Sequence, residues 1–223
     1  MAVLSRRFRK IKSVLNCRMQ NLSVLIEGVN KPHNLSAILR TCDAAGVFEA
    51  NFICKENEVK TFNSTAQGSQ KWVKLENHTS HLNAVKELRK KKFKLYGTTL
   101  NEKSIDYREL DYTNNSCFVL GAEKWGISDE LISEVDECIH IPMNGMVQSL
   151  NVSVAAAILL FEAIRQRKDK GLIPSQGEGL KKEEYKNTLF EWTYPELVTS
   201  FKRSNREYPI LNENGEIYEQ NLL

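Results

Sequence analysis

Short apolar runs alternate along this chain with segments in which apolar residues recur at three- and four-residue spacing. The runs predict strands and the spaced segments predict amphipathic helices. The first pair is the run Leu22–Val29 and a helix with apolar positions Leu35, Ile38, Leu39 and Cys42. Further strands are predicted at 47–55, 94–100, 116–121 and 137–143, and further helices at 80–93, 127–135 and 151–168. This alternation indicates an α/β domain with a mostly parallel sheet flanked by helices.

Residues typical of helix ends support these boundaries. Asn34 is placed to cap the first core helix, and Gly46 follows it where a C-terminal glycine belongs. Ser128 is placed to cap the helix at 127–135. Before the last core helix, Ser149 and Asn151 are both candidate caps.

The pattern divides the chain into three parts. Residues 1–20 form a basic N-terminal extension, residues 21–167 the core, and residues 168–223 a C-terminal extension. In the last part Glu183–Trp192 is predicted to be helical, and a further turn or two is expected from Pro195. We expect this extension to pack on the core or to bind substrate.

Composition narrows the class of protein. A chain of 223 residues with 41% hydrophobic content can bury a sizeable core. It has no apolar run of about 20 residues, the length that spans a bilayer, and the basic N-terminus lacks the apolar segment of a signal peptide. We therefore expect a cytoplasmic protein without membrane contact. The five cysteines form no C-x-x-C pair, so neither disulfides nor a metal site is expected.

Basic residues are concentrated in a few segments although the net charge is only +3. Met1–Gln20 contains Lys and Arg but no Asp or Glu, and other clusters lie at 86–94, 165–170 and 201–206. Such clusters are often solvated faces, but an acid-free basic segment suits a phosphate backbone. Nucleic-acid binding is therefore a plausible function.

Three loops that follow predicted strands carry residues that could take part in binding or catalysis. They are NKPHNLSAILR, LGAEKWGIS and IPMNGMVQSLN. Ligands of parallel α/β sheets collect at the carboxyl ends of the strands, where these loops lie. Arg40 lies off the apolar stripe of its helix, and Glu123 directly follows an apolar strand. Taken singly, Arg40 could equally form a surface ion pair with Asp43, and Glu123 could be an exposed turn residue.

These three segments resemble the three motifs of the SpoU/TrmH branch of the SPOUT RNA methyltransferases. The matching stretches are NLSAILRTCDAAG, LGAEKWGIS and IPMNGMVQSLNVSVAAAILLFE. The resemblance implies a deep trefoil knot near the C-terminal end of the sheet, a homodimer, and a pocket for S-adenosylmethionine inside the knot. The tail, with LFEWTYPELV and YPILNENGEI, is similar to that of the members that methylate the ribose 2′-hydroxyl of guanosine 18 in the tRNA D-loop.

The resemblance also implies roles for individual residues. The catalytic set would be Arg40, Asn34, Glu123, Asn151 and Ser149. Contacts with the methyl donor would fall on Thr98, Gly121, Ile141, Met143 and Leu150. The tRNA backbone would be met by Arg6, Arg7, Arg9, Lys10, Arg165, Arg167, Lys202 and Arg203. No metal is implied.

The role of Arg40 follows from guanidinium chemistry. The family's usual proposal makes the arginine a general base, but a guanidinium keeps its proton in nearly all settings. We therefore expect Arg40 to remain charged, to grip a substrate phosphate and to stabilise negative charge that develops on the 2′-oxygen.

Two other functions remain open, and a third is disfavoured. The same chemistry could act on ribosomal RNA, or the chain could be a catalytically silent RNA-binding protein. A Rossmann-type methyltransferase would need a glycine-rich turn after an early strand, and the chain contains no G-x-G-x-x-G.

Overall fold

The described part of the chain contains one seven-stranded β-sheet. The computed structural model describes residues 2–29, 31–54, 71–122 and 125–218. Within these ranges seven strands lie in the order β3-β2-β1-β6-β4-β7-β5. The strands are β1 (Met19–Glu27), β2 (Val47–Ile53), β3 (Lys74–His78), β4 (Lys94–Thr98), β5 (Ile105–Asp106), β6 (Ser116–Leu120) and β7 (Glu137–His140).

Helices connect most of these strands. The helices of the described ranges are α1 (Ala2–Asn16), α2 (Pro32–Ala44), α3 (His81–Lys90), α4 (Asp129–Ile132), α5 (Val152–Asp169), α6 (Lys182–Thr193) and α7 (Pro195–Arg203). A short 3-10 turn covers Tyr107–Glu109. None of these described helices is both long and apolar enough to cross a membrane.

The predicted mostly parallel sheet is confirmed. β1 pairs with β6, β6 with β4, β4 with β7, β7 with β5, and β2 with β3, all in parallel. Every residue of β6 is buried, as expected for a central strand covered on both faces. The carboxyl ends are aligned, since Ile26 is opposite Leu120 and Gly97 is opposite Val119.

Two strands were not predicted. β3 has the sequence KLENH and contains only exposed and half-buried residues, so it lacks the apolar run used to find the other strands. It lies at one edge of the sheet, where charged side chains protect against unwanted pairing. β5 lies at the opposite edge and has only two residues, too few for any period to be visible.

Most predicted helix ends are confirmed. The side chain of Ser128 accepts the amide of Leu131, and Asn151 caps α5 by accepting the amide of Ser153. Gly46 follows α2 with φ of +73°, and its amide donates to the carbonyl of Asp43. The two tail helices occur where they were expected, and the second continues to Arg203.

The chain divides into two compact units. Gln20–Ile173 contains most of the sheet and its covering helices, with α2 packed on α5. Met1–Met19 and Pro174–Leu223 together form the other unit, so the two terminal extensions share one core. In this terminal unit α1 packs on α6, and Tyr185 Oη donates to Asn16 Oδ1 at 2.6 Å. Its aromatic core consists of Phe190, Tyr194, Phe201 and Tyr208.

Candidate functional site

The loops that leave β4, β6 and β7 surround a cavity of about 740 Å³. Its walls combine apolar side chains, including Leu120, Ile139 and Leu159, with polar and glycine residues of the loops. Small-molecule pockets typically span about 300–1,000 Å³, so a nucleoside-sized ligand fits. All five residues predicted to contact the methyl donor line this cavity: Thr98, Gly121, Ile141, Met143 and Leu150.

The loop after β6 folds back too tightly for any side chain at Gly121. A Cβ atom there would lie 2.0 Å from the carbonyl carbon of Gly126 and 2.2 Å from the amide nitrogen of Ile127. Two hydrogen bonds hold this closure, from the Ala122 amide to the Gly126 carbonyl at 2.9 Å and in the reverse direction at 2.8 Å. Gly126 has φ of +68°, a conformation that favours glycine. The cavity wall therefore requires glycine at 121 for lack of space and favours it at 126 for its positive φ.

Thr98 ends β4 with its hydroxyl already engaged. Its Oγ1 donates to the carbonyl of Val119 at 2.8 Å, and the amide of Thr99 donates to the carbonyl of Ile139 at 3.1 Å. These bonds attach β4 to both neighbouring strands where the cavity opens. Because the hydroxyl proton is already used, Thr98 Oγ1 could accept a hydrogen bond from a ligand but could not donate one.

The connection from β7 to α5 is irregular from Ile141 to Leu150. The predicted strand that continues to Met143 is therefore wrong. β7 ends at His140, and Pro142 lacks the N–H group that a sheet ladder requires. The residues beyond β7 line the cavity instead of extending the sheet.

A hydrogen bond joins the first and third predicted motifs. Asn151 Nδ2 donates to Asn34 Oδ1 at 3.1 Å, across 117 positions of sequence. The other amide atom of Asn151 is fixed as well, because Oδ1 accepts from the amide and the hydroxyl of Ser153 at 2.9 and 2.6 Å. Both ends of the Asn151 amide are thus oriented directly beside the cavity-lining residues Leu150 and Val152.

The predicted capping role of Asn34 is wrong. α2 begins at Pro32, three residues earlier than an Asn34 cap would require, with Lys31 in the cap position and no side-chain capping bond. Proline suits the first helical position because its missing N–H would have no partner there and its φ is already helical. Asn34 is consequently inside the first turn, is only 2% exposed, and bonds to Asn151.

Arg40 is exposed on α2. Among the described residues its side chain has no hydrogen-bond or ion-pair partner, and the alternative ion pair with Asp43 does not form. Ser149 is also exposed, and it lines the cavity. Glu123, the remaining member of the predicted catalytic set, lies outside the described residues.

Several cavity residues were not predicted. Ala155 and Leu159 belong to the first turns of α5, Leu100 to the loop after β4, and His140 to the end of β7. Ser104 Oγ lies 3.2 Å from His140 Nδ1, so the imidazole contacts the β5 side of the sheet. For Leu100 and His140 the available signal was positional, since they follow or end a strand whose carboxyl end meets the cavity.

The predicted RNA contacts on α1 share one face of an amphipathic helix. Phe8, Ile11 and Leu15 are buried at three- and four-residue spacing. The basic residues predicted to contact RNA are exposed, away from this buried stripe: Arg6, Arg7, Arg9 and Lys10. A backbone phosphate can reach these side chains without disturbing the core of the terminal unit.

The prediction that Arg167 contacts RNA is wrong. Arg167 is 1% exposed, and its guanidinium donates to Tyr112 O at 3.0 Å, Asn21 Oδ1 at 2.6 Å, Asn21 O at 2.9 Å and Asn114 O at 2.7 Å. Burial lowers its pKa to about 10, so it still carries its charge at neutral pH. The side chain joins α5 to β1 and to the loop before β6, and it is not available to a partner.

The other three predicted RNA contacts are exposed but differ in their partners. Arg165 pairs with Glu162 and Asp169 on its own helix at 2.7 Å each, and Lys202 pairs with Glu191 at 2.9 Å. Arg203 has no such partner among the described residues. An RNA phosphate would compete with carboxylates at Arg165 and Lys202 but not at Arg203.

The α/β fold with a cavity at its strand ends defines a small-molecule-binding enzyme scaffold, and comparison with known proteins specifies the class. Residues 21–161 match the SpoU rRNA Methylase family, and residues 165–220 match the family described as SpoU, rRNA methylase, C-terminal. The chain belongs to the SpoU methylase family, as the motif resemblance indicated.

Three relatives illustrate the range of similarity. The tRNA (guanosine(18)-2′-O)-methyltransferase of Thermus thermophilus is 50% identical over 83% of this chain and 95% of its own length. The TrmH/SpoU tRNA modifying enzyme of Aquifex aeolicus superposes with a TM-score of 0.76 at 38% identity, covering 87% of this chain and 98% of that one. The SpoU methyltransferase AviRb of Streptomyces viridochromogenes, solved with AdoMet, has a TM-score of 0.60 at 26% identity, covering 68% and 62%.

Proposed function

We propose that the chain transfers a methyl group from S-adenosylmethionine to the ribose 2′-hydroxyl of guanosine 18 in the tRNA D-loop. The observation that carries the proposal is the bond between Asn34 and Asn151, which joins two separate motifs beside a cavity of nucleoside size. The Thermus relative named for this reaction is matched along 95% of its length, which supports tRNA as the substrate.

The cavity suits S-adenosylmethionine. Its apolar side chains can cover an adenine ring, and the closed turn at Gly121, which leaves no room for a side chain, places main-chain atoms in the cavity wall. AdoMet is bound to AviRb, a member of the same fold. When bound, the donor supplies an electrophilic methyl group on a sulfonium, and the protein must align the ribose oxygen with it.

Arg40 stabilises charge on the substrate, and the hydrogen-bonded pair Asn34 and Asn151 positions Arg40. Arg40 is exposed and unpaired among the described residues, so it can grip a phosphate and stabilise charge on the 2′-oxygen. Asn34 and Asn151 hold α2 against the start of α5 and thereby fix the position from which Arg40 reaches the substrate. The hydroxyl proton leaves to a phosphate oxygen or to water. Alignment of this kind can lower a barrier by about 7–11 kcal/mol.

An Arg40→Lys variant separates this role from that of a general base. Lysine retains the charge but lacks the bidentate fork of a guanidinium, so we expect a large loss of rate without a new pH optimum. A rate close to the parent's, with an optimum that follows lysine ionisation, would support the base instead.

The trefoil knot belongs to this proposal too. The loops after β4, β6 and β7 meet at one cavity, and β6 lies between β1 and β4 although it follows both in sequence. Such a strand order is compatible with a chain that threads back through its own loop. The knot would hold the three cavity walls together without any covalent link.

We further propose that the enzyme is a homodimer and that α5 lies at the interface. The first ten residues of α5, 152–161, are apolar except for Ser153, and Val154 and Phe161 leave 46% and 50% of their surfaces exposed on one face. Phe161→Asp should convert the dimer to a monomer in sedimentation velocity, whereas Leu82→Asp, at an exposed apolar residue of α3, should not.

The test of the function is direct. Purified protein is incubated with methyl-labelled donor and unmodified tRNA transcripts, and the 2′-O-methylated nucleotide is mapped. Label at guanosine 18 that disappears in Arg40→Ala supports the proposal. The family description also names ribosomal RNA, so transfer only to ribosomal RNA would retain the chemistry and replace the substrate. RNA binding without transfer would identify a silent RNA-binding protein.

A further inference from the structure

We propose that Glu27 is a positioning residue for the methyl-donor cavity, an inference that rests on the proposed function. Glu27 is the last residue of β1 and does not line the cavity itself. Its carboxylate instead holds the far end of the loop that forms one cavity wall. Donor affinity should therefore depend on a side chain that never touches the donor.

The contact is a two-point clamp. Glu27 Oε2 accepts the backbone amide of Ser128 at 2.7 Å, and Oε1 accepts the Ser128 hydroxyl at 2.9 Å. The same Ser128 Oγ accepts the amide of Leu131 at 3.3 Å. The carboxylate thus fixes both the main chain and the capping side chain of Ser128, 101 positions away in sequence.

The clamp closes a loop whose other end is already fixed. The loop begins at Gly121, which follows β6, and three of its residues line the cavity: Gly121, Ala122 and Gly126. Gly28, next to Glu27, has φ of +66°, and a Cβ there would be in van der Waals contact with Ala122 Cβ at 3.6 Å. The end of β1 therefore lies close to the start of the loop at Gly28 and is bonded to its end through Glu27.

The carboxylate of Glu27 has no other described partner that would give it a different role. Among the described contacts, both carboxylate oxygens of Glu27 are used on Ser128. Loss of the clamp would leave the Ser128 amide without its acceptor and would release the described end of the loop, including the cavity-lining Gly126. Misplacement of a binding group by about 1 Å can cost about a hundredfold in activity, so even a partial shift is measurable.

Glu27→Ala is the principal variant, and Asp136→Ala is its matched control. Asp136 also clamps through its carboxylate, accepting the amide of Leu95 at 2.6 Å and the guanidinium of Arg89. It lies at the amino ends of β4 and β7, away from the cavity. Both variants lose a carboxylate that accepts a backbone amide, and Asp136→Ala also loses the Arg89 ion pair, so a larger loss of donor affinity in Glu27→Ala would be specific to the cavity.

Calorimetric titration with S-adenosylmethionine and S-adenosylhomocysteine gives the decisive readout. We expect Glu27→Ala to raise Kd for both by about tenfold or more, while Asp136→Ala stays close to the parent. In steady state, KM for the donor should rise more than kcat falls, and KM for tRNA should stay nearly constant. Glu27→Gln should restore much of the affinity, because its amide can still accept from the Ser128 N–H and donate to Oγ.

Each contrary result has a distinct meaning. Unchanged donor affinity in Glu27→Ala, or an equal loss in Asp136→Ala, would overturn the positioning role. If Glu27→Ala does not fold, Ser128→Ala removes one arm of the clamp, and unchanged donor affinity there would also overturn it. A parent protein that binds neither donor nor product would refute the proposed function itself, and this inference with it.

Discussion

Replacement of Arg167 by methionine should destabilise the protein without acting through RNA. The guanidinium donates at least four hydrogen bonds, to Asn21 of β1 and to Tyr112 and Asn114 in the loop before β6. At about 1.5 kcal/mol each, the low end for charged donors, they contribute about 6 kcal/mol. Against this, burial lowers the pKa from 12.5 to about 10, which corresponds to about 3 kcal/mol of lost hydration. The net expectation is a loss of about 3 kcal/mol in free energy of unfolding.

Thermal and denaturant unfolding provide the assay. For a protein of this size about 3 kcal/mol corresponds to a fall of about 6–12 °C in Tm. Arg165→Met is the control, because Arg165 lies on the same helix, is 58% exposed and forms only surface pairs. Such pairs contribute about 0–1 kcal/mol, so that variant should change Tm little.

Arg167→Lys distinguishes a structural from an electrostatic role. Lysine retains the positive charge but cannot reach Tyr112, Asn21 and Asn114 together. We therefore expect it to be destabilised nearly as much as the methionine variant. A lysine variant of parental stability, combined with a methionine variant that only loses tRNA affinity and salt dependence, would refute the burial argument and restore Arg167 as an RNA contact.

Four further substitutions test other parts of the structure. Gly121→Ala should abolish measurable donor binding in calorimetry, since its Cβ would overlap Gly126 at 2.0 Å, while Gly126→Ala, with open space around its Cβ, should cost only about 1 kcal/mol of stability. Lys92→Gly should raise Tm by about 2–4 °C, because Lys92 follows α3 with φ of +61° and glycine relieves about 1 kcal/mol of strain. Burial lowers the pKa of His78 below 6.5, so its neutral form stabilises the fold above about pH 6.5 and this contribution is lost as pH falls. His78→Gln should therefore lose less Tm than the parent between pH 7.5 and pH 5.5, and an equal loss would contradict the assignment.

The fold was predictable where its signals were local. Apolar runs located β1, β2, β4, β6 and β7, and spaced apolar residues located their helices, because burial on both faces or on one stripe leaves a periodic mark. The edge strands left no such mark, since β3 is half-exposed and β5 is two residues long. Strand order was not predictable either, because it depends on pairings such as Ile26 with Leu120 that no local pattern records.

The candidate site was only partly visible in the sequence for the same reason. Residue types and loop positions singled out Asn34 and Asn151 separately, but their contact spans 117 positions and became apparent only in the fold. Asn34 was taken as a cap because asparagine favours that position. Pro32 begins the helix instead, which frees the Asn34 amide for its distant partner.

The error at Arg167 was avoidable, because the helical period already indicated its burial. Ala156, Leu160 and Ala163 are buried on α5, and Arg167 follows at the next step of the same three- and four-residue spacing. Arg40 was placed off its apolar stripe by this reasoning, and it is exposed. Applied to Arg167, the same reasoning predicts a buried guanidinium, which requires nearby acceptors. Charge type alone suggested a surface residue, whereas position on the helix determined its environment.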